Sequence, residues 1–188
     1  MLIDSHCHLT DDQYEDDRRE VLVRAREAGV EGIVAVCSDA ADIDGISRLL
    51  AEFGEMDGGP VLWGTAGIHP HEAEKARDGD LDRVQAAVTH GGEMVAVGET
   101  GLDFFYDHSP RQVQEDLFRG HLELAEASNL PVVVHSRNAD QAMGRILREW
   151  GGRVRGVLHC YTGGADLLDT ALRIGWMVSF TGIITFKK

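Results

Sequence analysis

Seven short apolar runs, most of them rich in β-branched residues, recur along the chain with room for a helix between each pair. They are MLID at the start, GIVAVC (32–37), VLWGTAGI (61–68), MVAVGE (94–99), PVVVH (131–135), RGVLHC (155–160) and WMVSFTG (176–182). This alternation is the strongest constraint on the fold. Antiparallel strands can be joined by a two-residue turn, whereas parallel strands need a crossover of about a dozen residues or more, usually a helix. The intervening segments carry helical patterns. One over 14–28 places Val21, Leu22 and Ala25 on one side and stops at Gly29, and others lie near 40–53, 80–89, 139–150 and 165–174. The clearest helix start is Ser109-Pro110-Arg111-Gln112, which reads as a cap, a proline at the first helical position and a glutamine placed for a capping box. Strands alternating with helices predict an α/β fold with a parallel sheet. No G-x-G-x-x-G follows the first run, so a doubly wound dinucleotide sheet is disfavoured. The series predicts a TIM-type β/α barrel with about seven of its eight units present. At 188 residues and 43% hydrophobic content the chain can bury one core, which predicts a single domain over 1–188.

In such a barrel the chemistry sits where the strands end at their C-terminal side. Here those ends carry His6 and His8, then His69 and His71 in GIHPH, Glu99 in VGETGLD, His135 in VVVHSR and His159 in LHCYTGG. On a strand, His6 and His8 would point the same way, roughly 6 to 7 Å apart, with Cys7 on the other face. A single histidine at a strand end is usually a hydrogen-bonded structural residue. Imidazoles at several strand ends, with a glutamate among them, are costly to bury without partners, and together they predict a metal centre.

Charge narrows the function. With 18 basic against 32 acidic residues the net charge is -14, which argues against broad, non-specific nucleic-acid binding. A divalent-metal cluster can still supply positive charge locally, so a nuclease is not excluded. Only three residues are lysines, Lys75, Lys187 and Lys188, and none lies at a strand end in the body of the chain. Cys7, Cys37 and Cys160 form no C-x-x-C pair and read as small packing residues in a reducing compartment. No apolar run approaches the roughly 18 residues of a membrane span and no signal sequence opens the chain, so a cytoplasmic protein is expected, with no membrane partner.

Taken in order and spacing, LIDSHCHL, GIHPH, VGETGLDFF, VVVHSR, LHCYTGG and SFTGIITFK resemble the motifs of the TatD family of metal-dependent deoxyribonucleases, through the whole chain. The resemblance implies a β/α barrel of the amidohydrolase type. It also implies that His6, His8, Glu99, His135 and His159 are metal ligands, with Glu99 bridging two divalent ions, Mg, Mn or Zn. Some related barrels bridge their metals with a carboxylated lysine, for which no lysine is available here. The implied reaction is hydrolysis of DNA phosphodiester bonds by a metal-activated water, and the acidic surface suits attack from a strand end. Family members continue past the TFK segment into an eighth strand that ends in a further metal-binding aspartate, whereas this chain ends at Lys188. A C-terminally incomplete barrel is therefore expected, with open sheet edges available for self-association. Two other functions fit the same residues: an amidohydrolase-type enzyme acting on a small ester or amide, and a catalytically weak, metal-binding relative.

Beyond the ligands, the candidate catalytic residues are Glu99, His69 and Arg137, and the candidate substrate-binding residues are His71 and Asp103. His69 and His71 flank a proline and can contact a phosphate or shape their loop. Arg137 can clamp a phosphate with its two N–H edges or form a salt bridge at a helix start. Asp103 can orient a ligand, position substrate or form a turn. Phe104, Phe105 and Tyr106 can stack bases or pack their own loop. His90, His108 and His121 read as non-functional. The acidic run of Asp11, Asp12, Glu15, Asp16 and Asp17 reads as a solvated helix start.

Overall fold

A computed structural model of the chain describes residues 2–90 and 92–186, and for His90 its backbone alone. The His90 side chain, Lys187 and Lys188 thus lie outside the described residues. Seven strands, β1 (Leu2–Cys7), β2 (Val30–Ala35), β3 (Val61–Ala66), β4 (Met94–Asp103), β5 (Val132–Arg137), β6 (Gly156–Leu158) and β7 (Met177–Val178), form one sheet in the order β1 to β7. Every neighbouring pair is parallel. Among the described residues six helices connect them: α1 (Arg18–Glu27), α2 (Asp42–Phe53), α3 (Asp80–His90), α4 (Arg111–Ser128), α5 (Asp140–Trp150) and α6 (Ala165–Arg173). Strands and helices thus form a curled, partly closed β/α barrel, the expected class.

Each helix buries a stripe at helical spacing. In α5 the stripe is Met143, Ile146, Leu147 and Trp150, and in α2 it is Ile43, Ile46, Leu49, Leu50 and Phe53. These side chains meet Val132, Val134, Leu62 and Leu158 of the sheet in one continuous core, where truncating a fully buried Leu or Ile to Ala typically costs about 2–5 kcal/mol. Among the described residues no helix is long and apolar enough to cross a membrane. The sheet's outer strands, β1 and β7, expose Leu2, Ile3 and Met177.

Four local expectations are corrected. The segment from Tyr14 is not helical until Arg18; Asp12–Tyr14 form a separate 3-10 turn, entered through Asp11, whose side chain accepts from the Gln13 N–H. Ser109 does not cap α4. Its hydroxyl accepts from the Glu74 N–H at 3.0 Å and donates to the His71 carbonyl at 3.1 Å. Pro110 takes the cap position without a side-chain hydrogen bond, and Gln112 turns to Asp116. The last strand is only Met177–Val178, with a 3-10 turn at Gly182–Thr185. Finally, β4 does not end at Glu99 but runs on to Asp103.

That last difference positions the site. Against β5, Val97 pairs with Val132 and Thr100 with Val134, so three steps on β4 face two on β5. A bulge therefore lies at Gly98 and Glu99, where an extra residue re-aims a side chain. Gly98 has φ +141°, a backbone conformation suited to glycine, and a Cβ there would meet the Val133 carbonyl. The same count applies at β1, where Asp4 pairs with Ile33 and Cys7 with Ala35, leaving His6 in the irregular stretch.

Candidate metal centre

Glu99 is 2% exposed and stands at the centre of five imidazoles. Its Oε2 lies 3.3 Å from His6 Nε2 and 3.4 Å from His8 Nε2. Its Oε1 lies 2.6 Å from His159 Nε2, 3.4 Å from His135 Nδ1 and 3.6 Å from His69 Nε2. His6 and His8 approach each other at 3.2 Å through their Nε2 atoms, closer than plain alternation implies, because the first lies in the irregular stretch of β1 and the second just past its end. The His6 ring also stacks on His159, with centroids 3.7 Å apart.

A second carboxylate braces the first ring of residues. Asp103 is fully buried. Its Oδ2 accepts from His135 Nε2 at 2.9 Å and from His71 Nε2 at 3.0 Å, and its Oδ1 accepts the backbone N–H groups of Phe105 and Tyr106. Of the roles open to Asp103 from the sequence, these contacts display two: buried beneath two histidines, it orients them and turns the chain. Donation from Nε2 leaves His135 with its Nδ1 lone pair directed at Glu99, the arrangement by which a carboxylate fixes a metal-binding imidazole. Gln114 holds Asp103 in turn. Its Oε1 accepts from the Asp103 N–H at 2.8 Å, and its Nε2 donates to the Ser109 carbonyl at 2.7 Å.

His69 differs from its neighbours. Its Nδ1 accepts the His71 backbone N–H at 3.2 Å, so a neutral ring carries its proton on Nε2, the atom facing Glu99. The position suits a hydrogen-bond donor better than a metal ligand, although His69, Glu99 and His135 are close enough to share an ion.

The electrostatics follow from burial and proximity. Burial works against the charge of Glu99, but the imidazoles of His135, His159, His6 and His8 outweigh it and hold the carboxyl well below its ordinary range. Burial likewise opposes the Asp103 charge, yet the Tyr106 N–H, His71, His135 and the Phe105 N–H bring it down to about 2. Burial lowers His6, and it lowers His69 to about 3. The neighbouring Glu99 raises His8; at His135 burial is outweighed by Glu99 and Asp103, and the ring is raised. Burial pushes the thiols of Cys7 and Cys37 up to about 11 and about 12, so neither offers a ready thiolate.

The donor set fits divalent ions. His6 Nε2, His8 Nε2 and Glu99 Oε2 are separated by 3.2, 3.3 and 3.4 Å, close to the edge of roughly 3.3 Å expected for a tetrahedral shell with bonds of about 2.0–2.1 Å. Protons alone do not satisfy the group. His159 Nε2, though 2.6 Å from Glu99 Oε1, is buried without a hydrogen bond of acceptable geometry, as is His6 Nδ1. An unpaired buried polar atom is costly, and a cation between the imidazoles and the carboxylate removes that cost at His159 Nε2.

The centre opens into a cleft of about 840 Å³, walled by His8, His69, His71, His135 and His159 and rimmed by Asp11, Asp12, Asp39, Asp42 and Glu72. Part of the acidic run thus lies at the mouth of the cleft. Arg137 does not line it, and among the described residues it forms no salt bridge at a helix start. Its guanidinium instead lies over the rings of Phe105 and Tyr106, at 4.2 and 4.9 Å. Two histidines dismissed on sequence touch the site's surroundings. His108 packs edge-on against His71 at 4.7 Å. His121, fully buried in α4, accepts the Ile68 N–H at Nε2 (3.1 Å) and donates from Nδ1 to the Leu117 carbonyl (2.8 Å). It thereby fixes the residue before His69. Its one sequence signal is a titratable residue on the same helical stripe as Phe118, Leu122 and Ala125.

The sequence matches the family model described as TatD related DNase over residues 3–188. A metal-dependent hydrolase of Bacillus subtilis (strain 168), YabD, itself described as uncharacterized, is 35% identical over 189 residues, covering 100% of this chain and 71% of that protein. The 3'-5' ssDNA/RNA exonuclease TatD of Dickeya dadantii (strain 3937) is 36% identical over 189 residues, covering 100% of this chain and 69% of its own. Among solved structures, that of YJJV, a TatD homologue from Escherichia coli K12, superposes with a TM-score of 0.86 at 30% identity, over 98% of this chain and 70% of that one.

Proposed function

Because the chain belongs to the family of TatD-related DNases, we propose that this metal-dependent hydrolase cleaves phosphodiester bonds at the end of a nucleic-acid strand. The observation that carries the reading is the Glu99 carboxylate, with two imidazoles on each oxygen at 2.6 to 3.4 Å. His6 and His8 would hold one divalent ion and His135 and His159 a second, with Glu99 shared between them. Such ions, when bound, polarise a phosphoryl oxygen and generate a hydroxide nucleophile near neutral pH.

The chain's own residues do the rest. Glu99, ionised through the working pH range, offers one oxygen to each pair of histidines. Asp103 holds His135 with Nε2 protonated, so that Nδ1 stays a lone-pair donor. His69, neutral with its proton on Nε2, can donate to a phosphoryl oxygen in the cleft, a fixed donor of the kind that stabilises charge developing in a transition state. The cleft is in the size range of small-ligand sites, which suits a strand terminus. In support, relatives of this chain are named 3'-5' ssDNA/RNA exonucleases.

The test is incubation with end-labelled single-stranded and duplex DNA in Mg²⁺ or Mn²⁺, beside a panel of small esters and phosphodiesters. Stepwise shortening of the single strand, abolished by chelation, is expected. Undiminished cleavage after exhaustive chelation contradicts the reading, as does turnover confined to the carboxylic esters.

A further inference from the structure

The loop after β4 adjoins the metal centre, where its backbone N–H groups hold Asp103, but its side chains supply no ligand. It presents two large aromatic side chains to solvent, Phe105 at 52% and Tyr106 at 49% exposure. Their rings meet edge to face at 4.8 Å. Arg137, at the end of β5, lies over both, 4.2 Å from the Phe105 centroid and 4.9 Å from that of Tyr106. With the guanidinium over the rings and no carboxylate partner among the described residues, its N–H groups remain free for an acceptor. The group is continuous with the cleft: Tyr106 packs edge-on against His71, a cleft-wall residue, at 5.5 Å.

Charge gives this side of the cleft its meaning. The loops after β1, β2 and β3 carry Asp11, Asp12, Asp39, Asp42 and Glu72 at the rim, a wall that repels phosphates. Arg137 stands on the β4 and β5 side. A polyanion whose end reaches Glu99 is therefore turned away from the first three loops and toward the fourth and fifth. Tyr106 also lies parallel to His108 at 5.5 Å, so Phe105 offers the more open ring. Half-exposed aromatic rings beside an unpaired guanidinium are the two parts by which proteins hold single strands, bases stacking on rings and phosphate meeting cation.

Resting on the hydrolase reading of the adjoining centre, we infer that Phe105, Tyr106 and Arg137 form a binding site for single-stranded nucleic acid: the rings stack unpaired bases next to the scissile end, and Arg137 takes a phosphate between them. A duplex presents its base faces only at its ends and gains little there. Because DNA and RNA bases have the same π-faces, the site accepts both.

The experiment measures binding of a cleavage-resistant phosphorothioate single strand of about ten nucleotides to metal-loaded protein by fluorescence anisotropy. The wild type is compared with Phe105→Ala, Tyr106→Ala, Arg137→Ala and Arg137→Lys. Each ring deletion should weaken binding at least about 5-fold, the low end of base stacking on an aromatic side chain. Arg137→Ala should weaken it and flatten its salt dependence, and Arg137→Lys should restore the salt dependence without the full affinity, since an ammonium lacks the planar fork that meets a phosphate with two N–H groups. Both rings are half exposed, so thermal melts and metal content should match the wild type. Equal affinity for all five proteins overturns the inference, as does wild-type protein that binds a blunt duplex as tightly as the single strand. The two readings separate cleanly. Wild-type binding that the variants lose, without metal-dependent cleavage, leaves the strand site standing and removes the hydrolase reading. Cleavage and binding that the variants keep do the reverse.

Discussion

His121 links an outer helix to the strand end that carries His69, and its protonation tests that link. Burial lowers its pKa from 6.5 to about 4, with the hydrogen bond to Leu117 opposing the shift. Between those values the unfolded chain binds more protons than the folded one, so stability rises with pH. The contribution is fully present above about pH 6.5 and is lost as pH falls toward about 4; at about pH 5 the loss amounts to roughly 2 kcal/mol. His121→Phe removes the titration while keeping a ring of similar size. It also leaves the buried Ile68 N–H unpaired, which costs about 1–3 kcal/mol at neutral pH. Urea unfolding of both proteins under identical metal conditions, from about pH 7.5 to about pH 5, should give curves that converge on acidification. The subtraction cancels the other histidines, which both proteins share. A gap that does not change with pH refutes the reasoning, because it means His121 is not held neutral by burial.

Two further outcomes follow from the centre itself. Glu99→Gln should lose both ions by elemental analysis, whereas His159→Ala should lose at most one, because in the proposed arrangement the carboxylate serves both ions and each imidazole one; equal loss of one ion in both refutes the bridging role. Asp103→Asn should weaken the ion beside His135 by roughly 10- to 100-fold in a chelator-competition titration, with stoichiometry at saturating metal unchanged, and unaltered affinity would show that Asp103 does not set the His135 tautomer.

Much of this architecture was legible because its signals are local. Strands buried on both faces read as continuous β-branched runs, and each run that ends in a histidine announces where the chemistry lies. His6, His8, His135 and His159 therefore converge on Glu99 as their strand positions imply. The misreadings came where a side chain has a distant partner. Ser109 has every local mark of a helix cap, but its hydroxyl is engaged by Glu74 and His71 across the barrel mouth. The salt-bridge alternative for Arg137 fails in the same way, because its neighbours are aromatic rings from the adjacent loop, an arrangement that leaves its fitness for a phosphate intact. Glu99 reads as a strand end because Gly98 interrupts the apolar run, yet the ladder resumes at Thr100. His121, read as non-functional, and Gln114, not singled out, escape for the opposite reason. Each is a polar residue on a helix's buried stripe, a visible anomaly whose partners, Ile68 and Asp103, lie on other elements.

The central claim is that one buried carboxylate, Glu99, holds two divalent ions between two pairs of histidines. Anomalous diffraction from crystals grown with Mn²⁺, recorded at the manganese edge, tests it directly. The account predicts two peaks flanking Glu99, one against His6 and His8 and the other against His135 and His159, both absent in Glu99→Gln. A single peak bound through His69, or two peaks that persist in Glu99→Gln, would contradict it.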